Sequence, residues 1–547
     1  MKRILKKTVK FLIPLMLALC LAGQASACSL FYFGGDFTDD GANLFFRGED
    51  QEGADENKLY LVTPAGTNKT GEHYQGCFGF TWVFTHDNYR YLSRRDDNLV
   101  KDCPDCGGTH DHRPFEEAGT NECGVTITAT QGLSPTDEIL AADPFVHTGI
   151  HEAEIATVIL SEAATAREGV ELLKSIVEKD GIWGEEGFGV MICDQKEQWY
   201  VEVCTGHEFL AVLLPRSVAF FEANVSVLGL LDLDDTEHII ASDDLIAVAQ
   251  RAGTFVGDAE KNIIDYRLSY NNYHASAFEL LWSWNVAARM SIVLNELEGT
   301  DRWNPENVLD ENDFVMTNIA ADGSIVPLYN QLKLKEKVSA NNLFEMMKQF
   351  PLGYWENEEA HLYRFYPEAD VTMGTVEWSA MGSNAHNVFI PGYPMLMTDT
   401  WSGYKLGLPP VTLTEKKPDS GDYYEMDGVH YITNSLKDRS GEYHVYPEGW
   451  DHSYRGTFIA LANALDFLQG EAEKEAFADC CLAELQQKFI AAFPGLTARL
   501  AAEPDLQARE EIMTREHMQM SEEAQNLALK LYRHLVYGEP VNHSDLK

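Results

Sequence analysis

The sequence predicts an α+β fold with a helical C-terminal region, and three observations carry that expectation. A hairpin pattern opens the chain behind its first 27 residues; an apolar helical stretch, Glu152 to Lys179, is followed by short strand-like runs; and from about Ser453 the apolar spacing takes the helical period. Hydrophobic residues make up 45% of the 547, enough for a large core, which excludes wholesale disorder, collagen-like repeats and a small disulfide scaffold. The formal net charge of −44 would repel phosphate backbones, so nucleic acid is not an expected partner.

Residues 1–27 read as a secretory signal peptide. Lys2, Arg3, Lys6, Lys7 and Lys10 form a basic head, Phe11 to Ala22 an apolar run, and Ala25-Ser26-Ala27 a small-residue cleavage site. The run is too short to span a bilayer, and no later stretch is long and apolar enough to do so. The expected product is extracytoplasmic, in a periplasm, a cell wall or the medium, with Cys28 as its first residue. Such a cysteine offers a thiol nucleophile and, in its own α-amine, a general base whose ordinary pKa of about 7.7 to 8.0 leaves a neutral fraction at pH 7. The alternative is a lipid-anchored, non-enzymatic protein using Cys28 as its attachment point. Ala25-Ser26-Ala27 lacks the large aliphatic residue usual three positions before a lipidated cysteine.

Each element then follows in order. Ser29 to Phe33 has strand composition, Gly34-Gly35 and Asp39-Asp40-Gly41 are turn signals, and Asn43 to Phe46 reads as the returning strand, which delivers Arg47 and Asp50 toward Cys28. Arginine lowers a neighbouring thiol's pKa, and a carboxylate can orient the amine. Of the eight carboxylates between Asp36 and Glu56, one or two are expected to bind the ammonium of a substrate's free N-terminus and the rest to form a solvated rim. Glu152 to Lys179 is expected as one helix stopping at Asp180-Gly181, and Val190 to Cys193, Trp199 to Cys204 and Phe209 to Leu214 as consecutive strands. Phe458, Ala462, Leu465 and Leu468 lie on one helical face. Further helices are expected at Glu471 to Phe493, Leu506 to Met520 and Glu522 to Tyr537, punctuated by Pro494-Gly495 and Pro504. The expected organisation is a leader at 1–27, a catalytic domain at 28–450 and a helical subdomain at 451–547 packed on it.

Beyond Cys20 and Cys28, eight cysteines remain, a number that permits disulfides without showing their pairing. Cys103, Cys106, His110 and His112 are four potential zinc ligands, but the histidine spacing is tighter than in a zinc knuckle. The preferred reading is a Gly-rich surface insertion with disulfide-bonded cysteines, with no metal and no cofactor expected.

The sequence resembles the secreted dipeptidases of the dipeptidase A type, cysteine peptidases of the N-terminal-nucleophile hydrolase superfamily. The matching features are Cys28, Asp40-Gly41, Arg47-Gly48-Glu49-Asp50, Asn121-Glu122-Cys123-Gly124-Val125 with Thr128-Ala129-Thr130, Ala166-Arg167-Glu168, Gly187 to Val190, Trp199 to Glu202, Ala223-Asn224, Met381-Gly382-Ser383 and Val388 to Pro391. The resemblance implies a four-layer αββα sandwich with Cys28 on its first strand. It makes Cys28 the nucleophile, Arg47 and Asp50 the residues that tune and orient it, and Asn224 a holder of the amine or the oxyanion. Gln131, beside Thr130, is the oxyanion candidate. Ala42 departs from the small hydroxyl residue common in relatives. The implied activity is hydrolysis of dipeptides or short peptides. The alternative is the same machinery acting on non-peptide amides, as in bile-salt and penicillin acylases.

Overall fold

The computed structural model describes residues 28–50, 58–76, 79–96, 115–184, 186–272, 277–305, 308, 318–319, 325–326, 333–349, 352–353, 357–407, 411–413, 423–426, 429–437, 443–467 and 472–541. Residues 1–27 and the segment holding Cys103, Cys106, His110 and His112 lie outside them.

Two large antiparallel sheets organise the described residues. The first is built from β1 (Ser29–Phe33) and β2 (Asn43–Asp50). The second begins with β3 (Lys58–Thr63), β4 (Tyr91–Asp96), β5 (Glu116–Asn121), β6 (Thr126–Leu133), β7 (Gly187–Cys193), β8 (Gln198–Val203) and β9 (Phe209–Leu213). The chain returns to the first sheet with β10 (Ala219–Glu222) and to the second with β11 (Ile239–Ala241). It then completes the first with β12 (Asn357–Phe365), β13 (Thr375–Met381) and β14 (Ile390–Gly392). The strand orders are β10-β1-β2-β12-β13-β14 and β11-β9-β8-β7-β6-β5-β4-β3.

Side-chain alternation assigns the layers. Ile127, Ala129, Val190, Ile192 and Val201 of the second sheet pack on α1 (Glu152–Glu162) and α2 (Ala166–Asp180), through Ile155, Ile159, Val170 and Leu173. Met191, Cys193 and Tyr200 point the other way, toward the first sheet, where Tyr200 meets Phe220 and Phe220 stacks on Tyr32. On the outer face of the first sheet, Phe46 packs on Phe344 of α4 (Ala340–Met347), and α3 (Ala277–Glu298) lies against β10. The order is therefore helix, sheet, sheet, helix. Because both sheets are covered on both faces, their strands read as near-continuous apolar runs.

Gly34 and Gly35 are required where the β1–β2 hairpin meets Arg216. A Cβ at Gly34 would lie 2.2 Å from the Arg216 carbonyl oxygen, and one at Gly35 would lie 2.3 Å from Gly41 O.

Two helix expectations are corrected. The stretch Glu152 to Lys179 is two helices, α1 and α2, because Asn121 Nδ2 donates to Leu160 O (3.1 Å) and Ala163 O (2.7 Å) at the end of α1, while Thr165 caps α2 at Glu168 N. Downstream of α5 (Tyr454–Phe467), Pro494-Gly495 does not end a helix: α6 (Ala472–Ala502) runs through it, and α7 (Leu506–Tyr537) is continuous where two segments were expected. An internal proline costs roughly 3 kcal/mol. Burial of Phe489, Leu496 and Leu500, with Phe493 packed on Trp378 and Tyr393, offsets it.

Candidate active site

Cys28 lies at the start of β1, buried at 8% exposure, and the hairpin register brings the second residue of the site to it. Leu30 pairs with Arg47 across β1 and β2, so both point into the layer between the sheets. From there the Arg47 guanidinium reaches back, and its Nη2 donates to Cys28 Sγ at 3.0 Å. Nη1 of the same group donates to Glu117 Oε2 at 3.2 Å, and Glu359 stands 3.8 Å away. Burial opposes the charge on Arg47, yet the neighbouring Cys28, Glu117, Glu49 and Glu359 hold it well above its ordinary value, so the cation is permanent.

Asn224 arrives from the other side of β1. Strand β10 pairs Glu222 with Leu30, so two residues further on the chain passes Cys28, where Asn224 takes a left-handed φ of 63°. Its Nδ2 donates to Thr130 Oγ1 (3.4 Å), and its Oδ1 accepts from Arg289 Nη2 (2.9 Å). Gly132 leaves room for this turn, since a Cβ there would lie 2.5 Å from that of Asn224. The loop is held from beneath by buried Glu202, which accepts from Ser226 Oγ, Val227 N (2.7 Å) and Leu228 N (3.3 Å).

Arg289 of α3 is the residue the sequence reading missed. Its Nη1 donates to Cys28 O (2.6 Å) and Ser29 Oγ (3.0 Å), and its Nη2 to Ala223 O (3.3 Å) as well as Asn224. The signal was present: the arginine of Val286-Ala287-Ala288-Arg289-Met290 is a charge in an otherwise apolar turn, and buried charge of that kind must be paired. Glu117 carried no comparable signal.

Cys28, Arg47 and Asn224 are thus brought together with Arg289 and Thr130. Asp50 closes β2 opposite Asn357, and Gln131 pairs in register with Phe188; the side chains of both lie outside the described residues. Several of the carboxylates between Asp36 and Glu56 have partners within the chain. Asp39 and Asp40 sit at the hairpin turn, the opposite end of β1 from Cys28, and pair with Arg364, while Glu49 is bound to Lys58 at 2.8 Å.

Several features behind the family resemblance have structural work. Asn121 Oδ1 accepts from Cys123 N and Val125 N (both 3.0 Å) while its amide ties down the end of α1, and Arg167 stacks over Trp199 at 4.7 Å. Cys123, Cys193, Cys204, Cys480 and Cys481 are free thiols. Among the described residues no group of three or more His, Cys, Asp or Glu is arranged to hold a metal ion, and no helix is long and apolar enough to cross a membrane.

The family model described as Peptidase family C69 matches residues 27–416. A relative named probable dipeptidase B, from Streptococcus pyogenes, is 29% identical over 431 residues, covering 73% of this chain and 78% of its own. One named probable dipeptidase, from Salmonella dublin, is 28% identical over 374 residues, covering 68% and 82%. Among solved structures, a variant of the conjugated bile acid hydrolase from Clostridium perfringens aligns at 9% identity and a TM-score of 0.25, over 65% of this chain and 89% of its own.

Proposed function

The chain belongs to peptidase family C69 and is a cysteine-type peptidase, and from that premise we propose that it is a secreted dipeptidase whose nucleophile is Cys28, exposed by removal of residues 1–27. The observation that carries the reading is the 3.0 Å approach of the Arg47 guanidinium to Cys28 Sγ, inside a site whose remaining contacts hold the Cys28 backbone. The relatives named as dipeptidases supply the substrate class.

In this mechanism Arg47 stabilises the thiolate, which attacks the scissile carbonyl. The α-amine of Cys28 takes the thiol proton and returns it to the leaving amine, and water then resolves the thioester to release the acyl product and regenerate the thiol. Arg289 and Asn224 fix the backbone of Cys28 and the turn beside it, so the reacting sulfur is held without reorganisation. Asp50 is assigned to orienting the amine and Gln131 to the oxyanion, with no metal or cofactor in any step. Cleavage after Ala27 activates the enzyme, because an amide nitrogen at Cys28 cannot act as base near neutral pH.

The test compares the processed protein with Cys28→Ser, Cys28→Ala and a form carrying an uncleavable Met-Ala extension. Wild type should show Cys28 at its N-terminus by sequencing, lose activity on iodoacetamide labelling, and hydrolyse unblocked dipeptides faster than conjugated bile salts or penicillins. Cys28→Ser should keep the fold and lose most activity; Cys28→Ala and the extended form should be inactive. Full activity in the extended form would remove the N-terminal-nucleophile mechanism, and preference for a bile salt or penicillin would remove the substrate assignment.

A further inference from the structure

The strand that delivers Glu117 breaks its own alternation at that residue. In β5, Ala118 and Thr120 pair with Thr128 and Thr126 of β6. Thr120 is turned toward Tyr363 across the layer between the sheets, while a Cβ at Gly119 would meet Leu160 of α1 on the other face. Strict alternation would then turn Glu117 toward α1 and Glu116 inward. The reverse is found. Glu116 accepts from Thr157 Oγ1 of α1 at 2.6 Å, and Glu117 reaches inward to Arg47. A β-bulge causes the exchange: Arg94 pairs with Ala118 but Arg95 with Glu116, so Glu117 is the extra residue. Bulges give up a ladder position and re-aim a side chain.

What the bulge achieves is a grip on the far side of the Arg47 guanidinium. The group is planar and rigid, so fixing Nη1 on Glu117 sets the direction of Nη2, which is the nitrogen on Cys28 Sγ. Glu359, at 3.8 Å, is the weaker anchor and is also engaged by Arg94 Nε at 2.8 Å. The charged groups around Glu117 are Arg47 and Glu49 from β2, Lys58 from β3 and Glu152 from α1. Lys58 is committed to Glu49 (2.8 Å) and Asp96 (2.9 Å).

We propose that Glu117 is a positioning residue that acts through Arg47 to keep the guanidinium on the Cys28 thiol. This deepens the reading of Cys28 as nucleophile and rests on it. The test measures the pH dependence of iodoacetamide reaction at Cys28, located by peptide mapping, together with kcat and KM on a dipeptide. Glu117→Ala should shift the thiol titration upward, slow alkylation at pH 7 by about tenfold or more, and lower kcat with KM nearly unchanged. Glu117→Gln, whose amide oxygen still accepts from Arg47, should return both readouts to within about threefold of wild type. In an Arg47→Ala background, Glu117→Ala should add nothing, since its route of action is gone.

Should Glu117→Ala not fold, Glu117→Met, of similar length and without an acceptor, must show the same shift. A wild-type alkylation profile in the Ala or Met variant, or an undiminished further loss in the Arg47→Ala background, overturns the proposal. Failure of the underlying reading looks different: wild-type labelling would then miss Cys28 or leave activity intact, whatever the Glu117 variants do.

Discussion

At the scale of single residues, two arginines divide the work around Cys28. Arg47 contacts the sulfur, whereas Arg289 makes four hydrogen bonds to the framework beside it: Cys28 O, Ser29 Oγ, Ala223 O and Asn224 Oδ1. Only a forked, planar cation can reach all four, and a lysine ammonium acts as a point charge. Arg289→Lys is therefore expected to lower kcat/KM by about 100-fold, a loss of roughly 2.7 kcal/mol in transition-state stabilisation. Steady-state kinetics with a circular dichroism control for folding checks this; a loss below threefold would show that the Cys28 backbone needs no such anchor.

At the scale of elements, the gap between α1 and α2 shows how a local cap overrides a continuous helical pattern. Residues 152–179 are helical by composition, yet Ala163 is extended, and Thr165 accepts from Glu168 N while Glu168 accepts from Ala164 N at 2.9 Å. Two side chains thereby satisfy backbone donors at the start of α2. Thr165→Ala should destabilise the protein by about 1 kcal/mol, read as a shift in the urea midpoint with unchanged slope. Cys28 and Arg47 belong to the first sheet, and Thr130 lies on the face of β6 turned away from α2, so kcat/KM on a dipeptide should change by less than about twofold. A comparable change in activity would mean that the helical layer is coupled to the site.

For the whole molecule, buried carboxylates set the pH dependence of stability. Burial pushes Glu202 up to about 7 and Glu222 up to about 8, against the donors that Ser226, Val227 and Val225 present to them. The folded state therefore holds protons that the unfolded chain releases above its ordinary carboxylate value, near 4.5. Their contribution to stability is complete below about pH 4.5 and is lost as pH rises through 7 to 8. The formal charge of −44 adds self-repulsion in the same direction. Glu202→Gln separates the two effects: thermal unfolding at pH 5 and pH 8 should show a smaller difference in Tm for the variant than for wild type. An identical difference would mean that Glu202 is ionised in the folded state throughout.

The sequence by itself determined the local grammar of this protein. The β1–β2 hairpin, the strands around 187–213 and the helical character beyond Tyr454 are written in turn residues and apolar period, and Cys28 with Arg47 follows from the same hairpin. Only the tertiary structure decided which distant groups meet there. Glu117 faces Arg47 because a bulge shifts one strand by a residue, Arg289 reaches Cys28 from a helix 261 positions away, and Asp39 and Asp40 are drawn to Arg364 at the opposite end of the hairpin. Periodicity specifies which face a side chain occupies within its own element. Register between strands and packing between layers choose its partner, and those depend on contacts far apart in the chain.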